Sequence, residues 1–144
     1  MKFRTIFSLV LGGFALAASA QGGYQDGVDY YNADRFEKAK TILEKTLNDP
    51  STDKAVSYFY LGSLDLREGN AAAASENFNK GVQANPAYGY NYVGLGALAL
   101  ANNDPKAAED YFKQAKKLAK KDADLLTEIP RAYFEANPTT YANQ

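Results

Sequence analysis

The stretches "FEKAKTILEK", "AAAASENFNK" and "PKAAEDYFKQ" share one arrangement of small, bulky and polar positions. In each, a small residue precedes a bulky apolar one by four places: Ala39 and Leu43, Ala74 and Phe78, Ala108 and Phe112. Residues four apart lie on the same face of a helix, so each stretch predicts a helix with one apolar face. The alanines are 35 and 34 residues apart, and Gly27, Gly62 and Gly96 repeat upstream with the same spacings. Two sets of positions sharing one period mark an internal repeat.

Punctuation between the helices follows the same plan. Gly69 suits the left-handed end of one helix and Asn70 the cap of the next. Asp34 with Glu37 forms a capping-box-like start, and Asp104-Pro105 places a cap before a proline at the first helical position. Of the four alanines 71–74, the first three open a helix where alanine is the best former, and Ala74 is the one under steric constraint.

These residues resemble the tetratricopeptide repeat, a helix–turn–helix unit of about 34 residues. The second unit matches best, with Tyr58, Leu61 and Gly62 on its first helix and Ala74, Phe78, Gly81 and Pro86 on its second helix and exit. The third keeps Tyr92, Leu95, Gly96, Ala108, Phe112 and Ala115, with Lys120 in place of the exit proline. The first keeps Gly27, Tyr30, Ala39 and Leu43; its Pro50 comes one residue early, Gly22-Gly23 is a poor helix start, and Asp26 takes an apolar position. The resemblance implies an all-α fold, an α-solenoid of about three helical hairpins whose helices cross closely at the small residues. Its repeats fall at 21–53, 55–88 and 89–121. A fourth register also appears: Gly96 plus 34 is Pro130, Ala108 plus 34 is Ala142, and Ile129, Tyr133 and Phe134 fall on apolar positions. Residues 122–144 therefore read as a partial fourth repeat: a C-terminal helix kinked at Pro130, then a second helix starting at Asn137-Pro138. The unmatched apolar face of that C-terminal helix is the expected surface for self-association.

The first twenty residues read differently. Lys2 and Arg4 precede an apolar run of 11 residues, Ile6 to Leu16, and Ala18-Ser19-Ala20 is a small-x-small cleavage site. This is the pattern of a signal peptide, 1–20, leaving Gln21 first in a mature domain of 21–144. A membrane span needs about 20 apolar residues, so the run is too short for an anchor. No cysteine follows it, which excludes a lipoprotein and predicts an exported protein of the periplasm or cell envelope.

The chain of 144 residues has no cysteine and no histidine, which removes disulfides, thiolate nucleophiles, Cys/His zinc sites and imidazole-based triads. Gly94-Leu95-Gly96 lacks the third glycine and preceding strand of a phosphate-binding loop. The 17 acidic residues are scattered without an acid–base spacing. No catalytic, cofactor or metal residues are expected. Without Lys2 and Arg4 the mature chain holds 14 basic and 17 acidic residues, a formal charge of −3, which disfavours nucleic acid. Lys106, Lys113, Lys116, Lys117, Lys120 and Lys121 form the strongest charge cluster; at helical spacing they read as a solvated outer face rather than a membrane contact.

In the family that the chain resembles, the first helices line a concave groove. The matching positions are Tyr24, Val28, Tyr31 and Asn32 in the first repeat, and Val56, Phe59, Ser63, Leu66 and Arg67 in the second. The third supplies Tyr90, Val93, Ala97, Leu100 and Ala101. That lining is aromatic and aliphatic with almost no charge. It lacks the lysine, arginine and asparagine set with which some family members grip a peptide's terminal carboxylate. The expected function is a non-catalytic interaction module holding a peptide or protein partner, Tyr24, Val28, Tyr31, Val56, Phe59, Leu66, Tyr90 and Val93 being the contact residues. The alternative is an accessory region of a longer exported protein, an enzyme or envelope-assembly factor whose chemistry lies beyond residue 144.

Overall fold

The computed structural model describes residues 23–136. Residues 1–20, read above as a signal peptide, and Asn137-Pro138 and Ala142 of the fourth register lie outside the described residues. Among the described residues the fold is all-helical, with no strand. The helices are α1 (Tyr24–Asn32), α2 (Phe36–Thr46), α3 (Lys54–Arg67), α4 (Ala71–Ala84), α5 (Tyr90–Ala101), α6 (Pro105–Leu118) and α7 (Ala123–Ala136). One turn of 3-10 helix, Ala119–Lys121, leads into α7.

Consecutive helices pair as hairpins: α1 packs on α2, α3 on α4 and α5 on α6. Each hairpin is turned by the same backbone device. Asp34, Gly69 and Asn103 have positive φ of 56°, 76° and 58°, and they are 35 and 34 residues apart. The next amide reaches back to the helix just ended, Arg35 to the Tyr30 carbonyl, Asn70 to Asp65 and Asp104 to Ala99, each at 2.8 Å. The left-handed residue's own amide bonds the carbonyl three residues back, at Tyr31, Leu66 and Leu100. This pair of bonds satisfies carbonyls that a helix end leaves orphaned.

That turn corrects the reading of Asp34 as a helix cap. Its backbone is committed to ending α1, Arg35 occupies the N-cap of α2, and no side chain caps that helix. Asn70 does stand at the N-cap of α4, but its side chain makes no capping bond. Capping is instead the work of aspartates. Asp53 accepts from the amides of Ala55 and Val56, Asp104 from Ala107 at 3.0 Å, and Asp122 from Leu125 at 3.1 Å.

Within each hairpin the bulky residue of the second helix lies against the glycine of the first. A Cβ on Gly27 would sit 2.6 Å from the Leu43 side chain, one on Gly62 would sit 2.6 Å from the Phe78 ring, and one on Gly96 would strike Phe112. Ala39, Ala74 and Ala108 are fully buried beside them. Phe78 is shared with the following hairpin, because a Cβ on Gly94 would also strike its ring. Hydrogen bonds tie hairpins together as well. Buried Asn91 donates from Nδ2 to the Ala55 carbonyl at 3.0 Å. Asp65, 4% exposed, accepts from Lys40 of the first hairpin at 2.9 Å and from Asn77 of its own at 2.7 Å.

The last helix, α7, continues through Pro130 and packs on α5 and α6. Leu125, Ile129 and Ala132 are buried, and Tyr133 lies over Phe112 with ring centroids 5.0 Å apart. Ile129 and Tyr133 therefore do not form an unmatched face, and the Phe134 side chain lies outside the described residues; among those described, the large apolar side chains left open are Leu118 and Leu126, 37% and 46% exposed. Packing of α7 on α5 and α6 puts Ile129 in one core with Val93 and Phe112 without a following helix.

Candidate functional site

A half-open groove of about 460 Å³ lies over the hairpins and is walled on one side by α7. Its residues fall in rows at the repeat spacing. Tyr60, Gly94 and Glu128 form one row, Ser63, Ala97 and Arg131 another, and Asn32, Arg67 and Ala101 a third. Alternate helices, α1, α3, α5 and α7, thus present equivalent positions to one space. The row from Tyr60 through Gly94 to Glu128 also shows why the groove has depth: Gly94, kept bare by its contact with Phe78, leaves room between two long side chains.

Aromatic rings line its length in unbroken contact. Phe36 meets Tyr31 at 5.6 Å, Tyr31 meets Tyr60 at 4.9 Å, Tyr60 meets Phe59 at 5.2 Å and Phe59 meets Tyr90 at 5.6 Å, all edge to face. Tyr88 stacks behind Tyr90 at 5.1 Å. Each geometry is one that ring quadrupoles favour, so the wall is held in shape before anything binds.

Polar groups are interspersed among the rings, Asn32, Ser63, Arg67, Glu128, Arg131 and the tyrosine hydroxyls, and they differ in freedom. The Ser63 hydroxyl donates to the Phe59 carbonyl of its own helix at 2.8 Å. Glu128 faces Arg131 at 3.7 Å. The Arg67 guanidinium stacks 4.2 Å above the Phe36 ring, and no carboxylate pairs with it among the described residues. Burial, then the carboxylate of Asp122, pushes the Tyr90 phenol up to about 12; its hydroxyl lies 3.5 Å from that carboxylate. Burial first, then neighbouring Tyr31 and Glu128, raises the Tyr60 phenol. Burial likewise raises Tyr88. The tyrosines are therefore neutral, dry platforms at ordinary pH.

Of the residues read as contacts, the structure brings Tyr31, Phe59, Leu66, Tyr90 and Val93 into the groove, together with Asn32, Ser63, Arg67, Ala97 and Ala101. Tyr24, Val28 and Val56 do not line it. Tyr24 and Val28, on the first turns of α1, pack against the core of the first hairpin, and Leu100 packs into that of the third. Tyr60, Glu128, Arg131 and Ala132 were missed. A signal for the two charged residues exists in the period: adding 34 to Gly94 and Ala97 arrives at Glu128 and Arg131.

No protein-family model and no curated protein matches the chain. Other surfaces offer less chemistry. Among the described residues no cluster of acidic, histidine or cysteine side chains could hold a metal ion, and no helix is long and apolar enough to cross a membrane. On the lysine-rich face of α6, Lys113 pairs with Glu109 at 3.1 Å and lies 3.8 Å from Asp110, while Lys106, Lys116, Lys117 and Lys120 are exposed.

Proposed function

We propose that the protein is an exported, non-catalytic binding module of tetratricopeptide type, an α-solenoid that holds a peptide or protein partner in the aromatic groove. What carries the reading is the register of the groove. Equivalent positions of alternate helices, 34 or 35 residues apart, converge on one lined space. A groove of about 460 Å³ with aromatic walls and polar groups set among them falls in the range of sites that bury a ligand. Rigid rings supply contact area at low entropic cost. The strongest polar network, around Asp65, is spent on joining hairpins.

A photo-crosslinking amino acid placed at Tyr60, and separately at Lys116 on the outer face, tests the site in cell-envelope extract. The expected result is one partner crosslinked from Tyr60 and none from Lys116. That partner should be lost in Ala101→Trp, which fills the groove from an exposed position. Crosslinking from Lys116 alone would move function to the lysine face. Export is tested by N-terminal sequencing of the envelope fraction. Gln21 is the expected first residue, and retention of residues 6–16 would refute it.

A further inference from the structure

We infer that the groove selects an apolar peptide segment bearing an acidic side chain, whose carboxylate docks on Arg67. The inference rests on the groove reading above and names its partner's chemistry.

Arg67 carries the argument. Its guanidinium lies 4.2 Å over the Phe36 ring at the groove's edge. A contact with a ring face uses none of the five guanidinium N–H donors in a hydrogen bond, so they are left for an acceptor. No carboxylate takes them among the described residues, although Lys40, Lys80 and Lys113 each have one. The lining holds Arg67, Arg131 and Glu128, so one positive charge is left after the Glu128–Arg131 pair. An anionic group on the occupant complements that excess.

The remaining lining restricts the rest of the occupant. A sugar would bring many hydroxyls to a surface whose Ser63 hydroxyl is already turned onto its own helix. The helical backbone of the walls offers no free edge for a strand. What remains is side-chain contact: rings of Phe59, Tyr60 and Tyr90 around a floor of Gly94 and Ala97 suit separate apolar side chains. The groove is a half-open cleft and not a closed tunnel, which suits a peptide segment more than an acyl tail needing enclosure.

The test is a positional-scanning library of pentapeptides, acetylated and amidated so that only side chains carry charge, screened on the full mature chain. Enrichment of apolar residues with Asp or Glu at one position is expected. The best peptide should bind at least about tenfold more weakly to Arg67→Gln, the loss expected for a charge-assisted hydrogen bond, with only part of the affinity regained in Arg67→Lys, which keeps the charge but not the planar fork. Its Asn or Gln counterpart should bind Arg67→Gln and the parent alike. Enrichment without acidic preference, or affinity unmoved in Arg67→Gln, would overturn the carboxylate inference and leave the groove reading standing. Failure of every peptide, or binding that survives Ala101→Trp, would overturn the groove reading itself. Displacement by dodecanoate with no peptide enriched would make the occupant an acyl anion. A dimer broken by Arg67→Gln would make it a second copy of the chain. Either result would overturn the inference.

Discussion

Phe78 occupies the space that Gly62 leaves empty: a Cβ on Gly62 would sit 2.6 Å from its ring. Phe78 is also met by Gly94 of the next hairpin, so one side chain fixes two helix crossings. Phe78→Ala should cost about 3–5 kcal/mol in denaturant melts, because the ring is fully buried and both glycines have nothing to collapse with. A loss under 1 kcal/mol would mean that the crossing tolerates a void.

Ala74 and Ala72 lie two residues apart on α4 but in opposite surroundings, one 0% exposed and the other at the surface. Ala74→Leu should destabilise by about 1–3 kcal/mol or more through overpacking, and Ala72→Leu should be nearly neutral. Equal shifts in the two melts would contradict this register.

Lys40 reaches from the first hairpin to Asp65 and Glu68 of the second, at 2.9 and 2.8 Å. Asp65 is buried and Lys40 is not, so removing the cation leaves the more costly orphan. Lys40→Met should cost about 1–3 kcal/mol, more than Asp65→Asn, and Lys40→Met with Asp65→Asn together should cost less than the sum. Additive losses in the double-mutant cycle would show that the pair contributes nothing across the hairpin boundary.

Alkaline pH should unfold the chain early. Tyr90 titrates from 10.0 in its ordinary state up to about 12 when folded, chiefly through burial. The folded state then holds a proton that the unfolded state has released, so this contribution is full below pH 10 and is lost as pH rises towards 12. Tyr60, Tyr88 and Lys40, all raised, act in the same direction. Melting temperature should fall steeply across that window, and Tyr90→Phe should flatten part of the fall. An unchanged slope in Tyr90→Phe would place the alkaline loss elsewhere.

The helices and the hairpin crossings were legible from the chain alone. A small residue four places before a bulky one is a local demand of one helix face, and a glycine set with the same period marks where the second helix must pass. Those constraints act over a turn or two, so Ala39, Ala74 and Ala108 could be placed without coordinates. The capping aspartate at Asp104 was legible for the same reason, whereas Asp34 was misread because ending one helix and starting the next compete for the same short turn. The groove was only half legible. Tyr31, Phe59 and Tyr90 announce themselves as aromatic, but Tyr24, Val28 and Val56 look identical in sequence and lie outside it. Glu128 and Arg131 look like solvated charge and lie within it. Which side chains share the space depends on how far each hairpin is rotated on the one before and on α7 lying across α5. Those angles are set by the packing of Phe78, Asn91 and Leu125 between units, contacts between residues well separated along the chain that no local pattern encodes.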